Sequence, residues 1–245
     1  ILKYPGELWL QPSLLLTLVY RFGPTGTNPE TPERVMANGQ CFLCRRSLLA
    51  EVGGYASAKG SFCDDVTLAR HVASKGFKVG FLDGAKVLKV RMYEGAMETW
   101  REWGRSLDLK DASPRSQIWN DLWLLLGTQG LPLPILLTHA LFFVRDNTVL
   151  LSASAVSSSI ASLEGLISAF SPSLLLLGLN LFLLAIRVAL CGAIVPAYDL
   201  SQAKNAWIFW LSPLADPLAV LRIFISASKT PTNWRGRQYE LGKNS

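Results

Sequence analysis

Residues 174–186 read LLLLGLNLFLLAI, a run without a charge that ends on Arg187. A bilayer crossing needs about 20 apolar residues in helical conformation, and the apolar character extends from about 172 to 197, long enough to span. This stretch places the chain among membrane proteins. It also raises a question, because Arg187 lies well inside it, where a charge is costly unless it is paired or reaches the interface. Glu164, Asp199 and Asp216 are the carboxylates that could pair with it, and snorkelling is the alternative.

Outward from this run the apolar block covers residues 118–228. Its only charged side chains are Asp121, Arg145, Asp146, Glu164, Arg187, Asp199, Lys204, Asp216 and Arg222. Four membrane helices are expected, over about 120–145, 148–168, 172–197 and 206–227. The first is kinked by Gly130, Pro132 and Pro134, the second is Ser-rich, and the fourth is broken by SPLADP at 212–217. Residues 1–117 are polar and mildly basic, and residues 229–245 form a basic tail with Lys229, Arg235, Arg237 and Lys243. Basic flanks beside apolar spans follow the positive-inside rule, so the net charge of +6 requires no nucleic acid. Four cysteines without a secretory signal point to a reducing compartment. Cys41 and Cys44 form a lone C-x-x-C far in sequence from His71 and His139, which favours a buried apolar pair over zinc. The opening residues, ILKYPGELWL, suggest a fragment of a longer protein.

Within 1–117, residues 7–20 are apolar but too short to cross, and read as a helix in the interface or the core. A Pro/Gly/Thr-rich loop follows at 21–34, then a turn at Asn38-Gly39 and a short helix from Ser47 stopped by Gly53-Gly54. Asp64 and Asp65 open a helix marked by Leu68, His71 and Val72 and closed by Gly76. FKVGFL (77–82) and KVLKVRM (86–92) read as strands on either side of Asp83-Gly84, which makes this part mixed α and β. In residues 95–109, Ala96, Trp100, Trp103 and Leu107 share one helical face opposite charges, as in a helix lying in a membrane interface or against a core.

Four pieces of this sequence carry a resemblance: ANGQCFLCRRSLLAEVGGY (37–55), CDDVTLARHVASKGFKV (63–79), RMYEGAMETWREWGRS (91–106) and NWRGRQY (233–239). Together the chain resembles the membrane-associated family-2 glycosyltransferases, inverting enzymes of the GT-A type, and in its last two pieces the carotenoid- and lipid-glycosylating branch. The resemblance implies a fold class of a partial α/β GT-A-like domain followed by an all-α transmembrane bundle. It implies that 1–117 is the acceptor-side part of that domain, with an interfacial helix over about 95–110, and that the nucleotide-binding half is expected to precede residue 1, so that this piece alone would be inactive. It further implies a nucleotide-sugar donor, a hydroxylated lipid-like acceptor such as a carotenoid or glycolipid, and a setting among the lipids of the cytoplasmic membrane. The polar part and the tail would both face the cytoplasm.

On the same resemblance Asp65 matches the catalytic base and Asp64 its supporting neighbour. A positioned carboxylate would take the acceptor hydroxyl's proton as a nucleotide diphosphate leaves, which contributes on the order of 10²–10⁴ in rate. The other account is that Asp64 or Asp65 simply caps the helix, where free N–H groups and the macrodipole favour a carboxylate; with Asp65 as the base, Asp64 is left as the cap. Trp103, Arg101 and Arg105 match a diphosphate- and acceptor-binding run, although the family's Q-x-x-R-W order is not kept. Asn38, Gly39 and Gln40 match the acceptor side or are a simple turn. Arg235 and Arg237 are candidate phosphate contacts or a membrane anchor. A divalent metal, Mg²⁺ or Mn²⁺, is expected for the complete enzyme, with ligands mostly outside this chain and none assigned within it. Two other readings stay open: a polysaccharide or polyprenyl-phosphate glycosyltransferase, and a non-enzymatic membrane or transport protein.

Overall fold

A computed structural model describes residues 1–153 and 172–229, apart from 28, 104–106, 108 and 111, together with residues 233, 234, 237 and 238. The expected helix over 148–168 therefore lies largely outside the described residues.

Helix α1 runs from Pro5 to Phe22. Pro5 at its first turn supplies a preset φ, and Pro12 is accommodated inside the helix without ending it. Short helices follow at Arg46–Glu51 (α2) and Asp64–Ser74 (α3). Gly76, at φ 85°, ends the second of these in the left-handed conformation that glycine adopts without a Cβ penalty. Gly95–Glu98 (α4) continues into a wider π-type turn at Thr99–Trp103. Arg115–Leu125 (α5) ends in a second such turn at Leu126–Gly130, and Pro132–Ala153 (α6) follows. The segments on either side of this break, Arg115–Gly130 and Pro132–Phe142, meet at 40°. This is the bend that the prolines and Gly130 imply. Pro172–Ile194 (α7) carries the decisive apolar run. The last element is composite: a 3-10 segment at Ala206–Ala215 feeds Asp216–Ser228 (α8) through Pro217.

The α/β expectation is overturned. The described part of the chain is 66% helix, and no sheet forms among the described residues of 1–117. The one extended pairing among described residues is a two-residue antiparallel contact in the tail, Asn233–Trp234 with Arg237–Gln238. The turn chemistry explains the failure at 77–92. Gly84 O accepts from the N–H groups of both Val87 and Leu88, forming a helical turn in place of a tight hairpin. The two runs are thereby sent to different partners. Phe81 O accepts from Gly26 N, whereas Val90 O accepts from the Ile1 amino group. Phe77 and Val79 pack on α3, but Leu82 and Val87 stand exposed, which a strand in a packed sheet would not leave.

Two helical stretches, Leu174–Ala197 and Ala206–Ser228, are long and apolar enough to cross a membrane, consistent with a membrane protein. They are not set apart from the polar part. Leu10 and Leu14 of α1 share a core with Leu107, Ile118, Leu122, Ala219, Val220 and Ile223. Leu2, Leu8 and Leu16 share another with Cys191, Ile194 and Phe209. Helix α1 thus packs on two cores at once, which settles its sequence reading in favour of the interior. Cys41 and Cys44 are exposed and half-exposed, which corrects the expectation of a buried pair.

Candidate functional site

The turn at Asn38–Cys41 is built locally. Asn38 Oδ1 accepts from Gln40 N at 3.1 Å, and Asn38 O accepts from Cys41 N at 3.2 Å. With the Asn38 side chain turned onto its own backbone, the Gly39 N–H points away from the turn. It donates to Asp65 Oδ2 at 2.6 Å, across 26 residues of sequence. A Cβ at Gly39 would lie 3.4 Å from that oxygen, at ordinary van der Waals contact, so the approach does not itself demand glycine.

Asp64 and Asp65 occupy the first turn of α3, where the helix dipole and free N–H groups favour carboxylates. The N-cap position belongs to Cys63, and no side chain caps the helix, which corrects the expectation that one of the aspartates is the cap; the Cys63 N–H donates to Ser61 Oγ at 3.1 Å. Asp64 is exposed and accepts from Asp65 N at 2.9 Å. Asp65 is half-buried, and its second oxygen, Oδ1, accepts from Val66 N at 2.9 Å. Burial raises the Asp65 pKa, and the neighbouring Asp64 charge adds to it, against the opposing pull of the Val66 and Gly39 N–H donors. The result is a carboxylate held from two sides with elevated proton affinity.

The other expected residues fall elsewhere. Trp103 stacks on Tyr93, with ring centroids 6.2 Å apart and planes inclined by 28°. Together with Trp100 it lies half-buried against the core around Leu107 and Ile118. Arg101 is exposed, and its carbonyl accepts from Arg222 at 3.4 Å. Gln40 is exposed beside the turn. Arg105, Arg235 and the Arg237 side chain lie outside the described residues. The structure therefore joins the Asn38–Gln40 turn to Asp65 and keeps Trp103 on a separate core.

Among the described residues no group of three His, Cys, Asp or Glu could hold a metal ion. With no third such ligand beside it among the described residues, the aspartate pair does not fit a metal site.

Sequence reasoning missed three buried polar clusters. Arg21 and Arg34 converge on Asp121, each at 3.1 Å, and Asp121 is 3% exposed. Glu7, fully buried, accepts from Lys3 N, Gly95 N and Arg91 Nη2 at 2.7, 2.9 and 3.0 Å. Arg70 on α3 donates to Val35 O, Ala112 O and Ser113 Oγ, and burial lowers its pKa to about 10. The available signal was a charge inside an apolar periodic run, which Glu7 and Asp121 both show.

The charge at Arg187 is resolved by pairing. Its guanidinium grips Asp216 in bidentate fashion, Nε–Oδ2 2.6 Å and Nη2–Oδ1 3.0 Å. Ser13 and Ser212 hydroxyls accept from the same Nη2 at 3.2 and 3.3 Å. Gln129 Nε2 closes the group by donating to Asp216 Oδ1 at 2.8 Å and Ser13 O at 3.0 Å. The side chain does not snorkel.

No protein-family model matches this chain, and no curated protein or solved structure is found to be similar to it.

Proposed function

We propose that the protein takes part in inverting glycosyl transfer at a membrane, moving a sugar from a nucleotide-sugar donor to a hydroxyl of a lipid-like acceptor. Asp65 is the general base in this reading. The observation that carries it is the 2.6 Å bond from Gly39 N–H to Asp65, which brings two separate motif pieces to one point. A base needs a lone pair directed at the acceptor hydroxyl and a proton affinity close to the working pH. The N–H donors fix the orientation of the carboxylate, and its partial burial raises its affinity in that direction. Each carboxylate oxygen retains a second lone pair for the acceptor proton. Asp65 would take that proton as the oxygen attacks the anomeric carbon, while the nucleotide diphosphate departs from the opposite face. Asn38, Gly39 and Gln40 border the acceptor in this reading. The catalytic part would face the cytoplasm.

The test uses the protein in membranes, supplied with labelled nucleotide sugars and hydroxylated lipids. Asp65→Asn is expected to reduce transfer by at least about 10² while insertion and folding persist, and Asp64→Asn is expected to cost far less. Near-normal turnover by Asp65→Asn would sink the assignment. A second reading, a transport protein without enzymatic activity, draws on the buried Arg187–Asp216 pair. It predicts that Asp216→Asn changes permeation and that Asp65→Asn changes nothing.

A further inference from the structure

The segment Ala206–Ser228 is long and apolar enough for a membrane crossing. Its surroundings argue otherwise. On one side, Trp207, Trp210, Leu214, Leu218 and Leu221 follow one another at spacings of three, four, four and three. Each is 39% or more exposed. On the other side, Phe209, Ser212, Asp216, Ala219, Ile223 and Ser226 are buried against the protein. The element therefore carries a continuous apolar stripe and a continuous protein-facing stripe.

Helix α1 lies along that buried stripe. Asp199 O accepts from Leu2 N at 3.1 Å, Lys3 O accepts from Lys204 N at 3.3 Å, and Ser212 O accepts from Ser13 Oγ at 2.5 Å. The polar strip 89–101 runs along the same length. Lys89 pairs with Asp199 at 2.8 Å before the element starts. Arg91 reaches Glu7 at 3.0 Å, and both Tyr93 O and Thr99 Oγ1 accept from Gln11 Nε2. Near the far end, Arg222 Nε donates to Trp100 O at 2.7 Å, and Lys110 Nζ donates to Ser226 O at 2.7 Å. Lys86, Lys89, Glu94, Glu98 and Arg101 on or beside this strip are all exposed.

Exposed charges thus accompany the element from Lys89 to Arg101, with irregular backbone over 89–94 ahead of the short helical turns at Gly95–Trp103. Were the element upright in a bilayer, these charges and this backbone would lie within the hydrocarbon, where charges are costly and lipid-exposed irregular backbone does not occur. Rotating the element into the membrane plane removes the conflict, with charges to water and the tryptophan–leucine stripe to lipid. We infer that Ala206–Ser228 lies in the membrane interface as a broken in-plane helix, with the acyl-chain boundary of one leaflet as its partner and both ends on one side. The inference is independent of the glycosyl-transfer reading.

Two measurements on the full chain test this, in a Cys41→Ser, Cys44→Ser background that retains the buried Cys63 and Cys191. Lys204→Cys and Lys229→Cys are treated with an impermeant maleimide from either side of sealed vesicles. Labelling of both from the same side is expected. Spin labels on cysteines replacing Trp207, Trp210, Leu214, Leu218 and Leu221 then report depth through oxygen and nickel accessibility. Similar depths are expected, roughly 5–10 Å below the headgroups. An upright element would spread them over about 25 Å, from the rises of 3-10 and α-helix. Labelling from opposite sides, failure to label either lysine position, a graded depth profile, or stripe labels shielded from both oxygen and nickel would each overturn the inference. The last result would place a second protein on the stripe.

Discussion

Removing Asp216 should be among the most damaging single changes in this protein. In Asp216→Leu, the Arg187 guanidinium remains 2% exposed and loses a bidentate carboxylate at 2.6 and 3.0 Å. It keeps only the neutral Ser13, Ser212 and Cys191 contacts. Gln129 Nε2 also loses one of its two acceptors. Truncating one side of a buried pair costs about 3–5 kcal/mol, because the surviving charge is desolvated without compensation. Replacing both partners, Arg187→Met with Asp216→Leu, removes that uncompensated charge and should recover most of the loss. The coupling between the sites should then be about 2–3 kcal/mol. Reversible denaturation in mixed micelles, run as a double-mutant cycle, measures both quantities. A single-variant cost below about 1 kcal/mol, or a double variant no better than the sum of its singles, would refute the reasoning.

The other sites give further expected outcomes. Asp121→Leu leaves Arg21, whose side chain is 1% exposed, without its carboxylate and should cost about 3 kcal/mol; Arg34→Ala, at a side chain 40% exposed, should cost under about 1 kcal/mol in the same unfolding assay. Because the Asp65 pKa is raised, transfer should climb with pH through that raised value, above the ordinary aspartate range near 3.9. Gly39→Pro removes the N–H that favours the ionised form, so the acid limb of the pH–rate profile should move to still higher pH. A limb that stays put would show that this bond does not tune the base.

Some of this architecture was legible because the signals are local. Gly76 closes α3 where the apolar periodicity stops, since left-handed backbone there favours a residue without Cβ. Gly130, Pro132 and Pro134 announced the 40° bend by removing side-chain or N–H constraints at one place. The strands at 77–92 failed for the opposite reason. Their alternation was real, but a strand exists only with a ladder, and the helical turn at Gly84 directs each run to a different partner. Residue type and position placed a carboxylate pair at a helix start; the reading of Asp65 as a base came only from the resemblance. Its bond to Gly39 was not legible, because nothing in either segment specifies that the two meet.

The sequence by itself determined where apolar helices form, where they break, and that Arg187 needed compensation. Hydrophobic periodicity, proline and glycine act over a few residues, and the cost of a buried charge is independent of its partner. Which carboxylate pairs with Arg187, which N–H orients Asp65, and which face of Ala206–Ser228 is left for lipid were decided only by tertiary packing. A length of apolar helix fixes how far a segment could reach through a bilayer. Its orientation depends on what lies beside it, and here a charged strip and a buried helix accompany it from end to end.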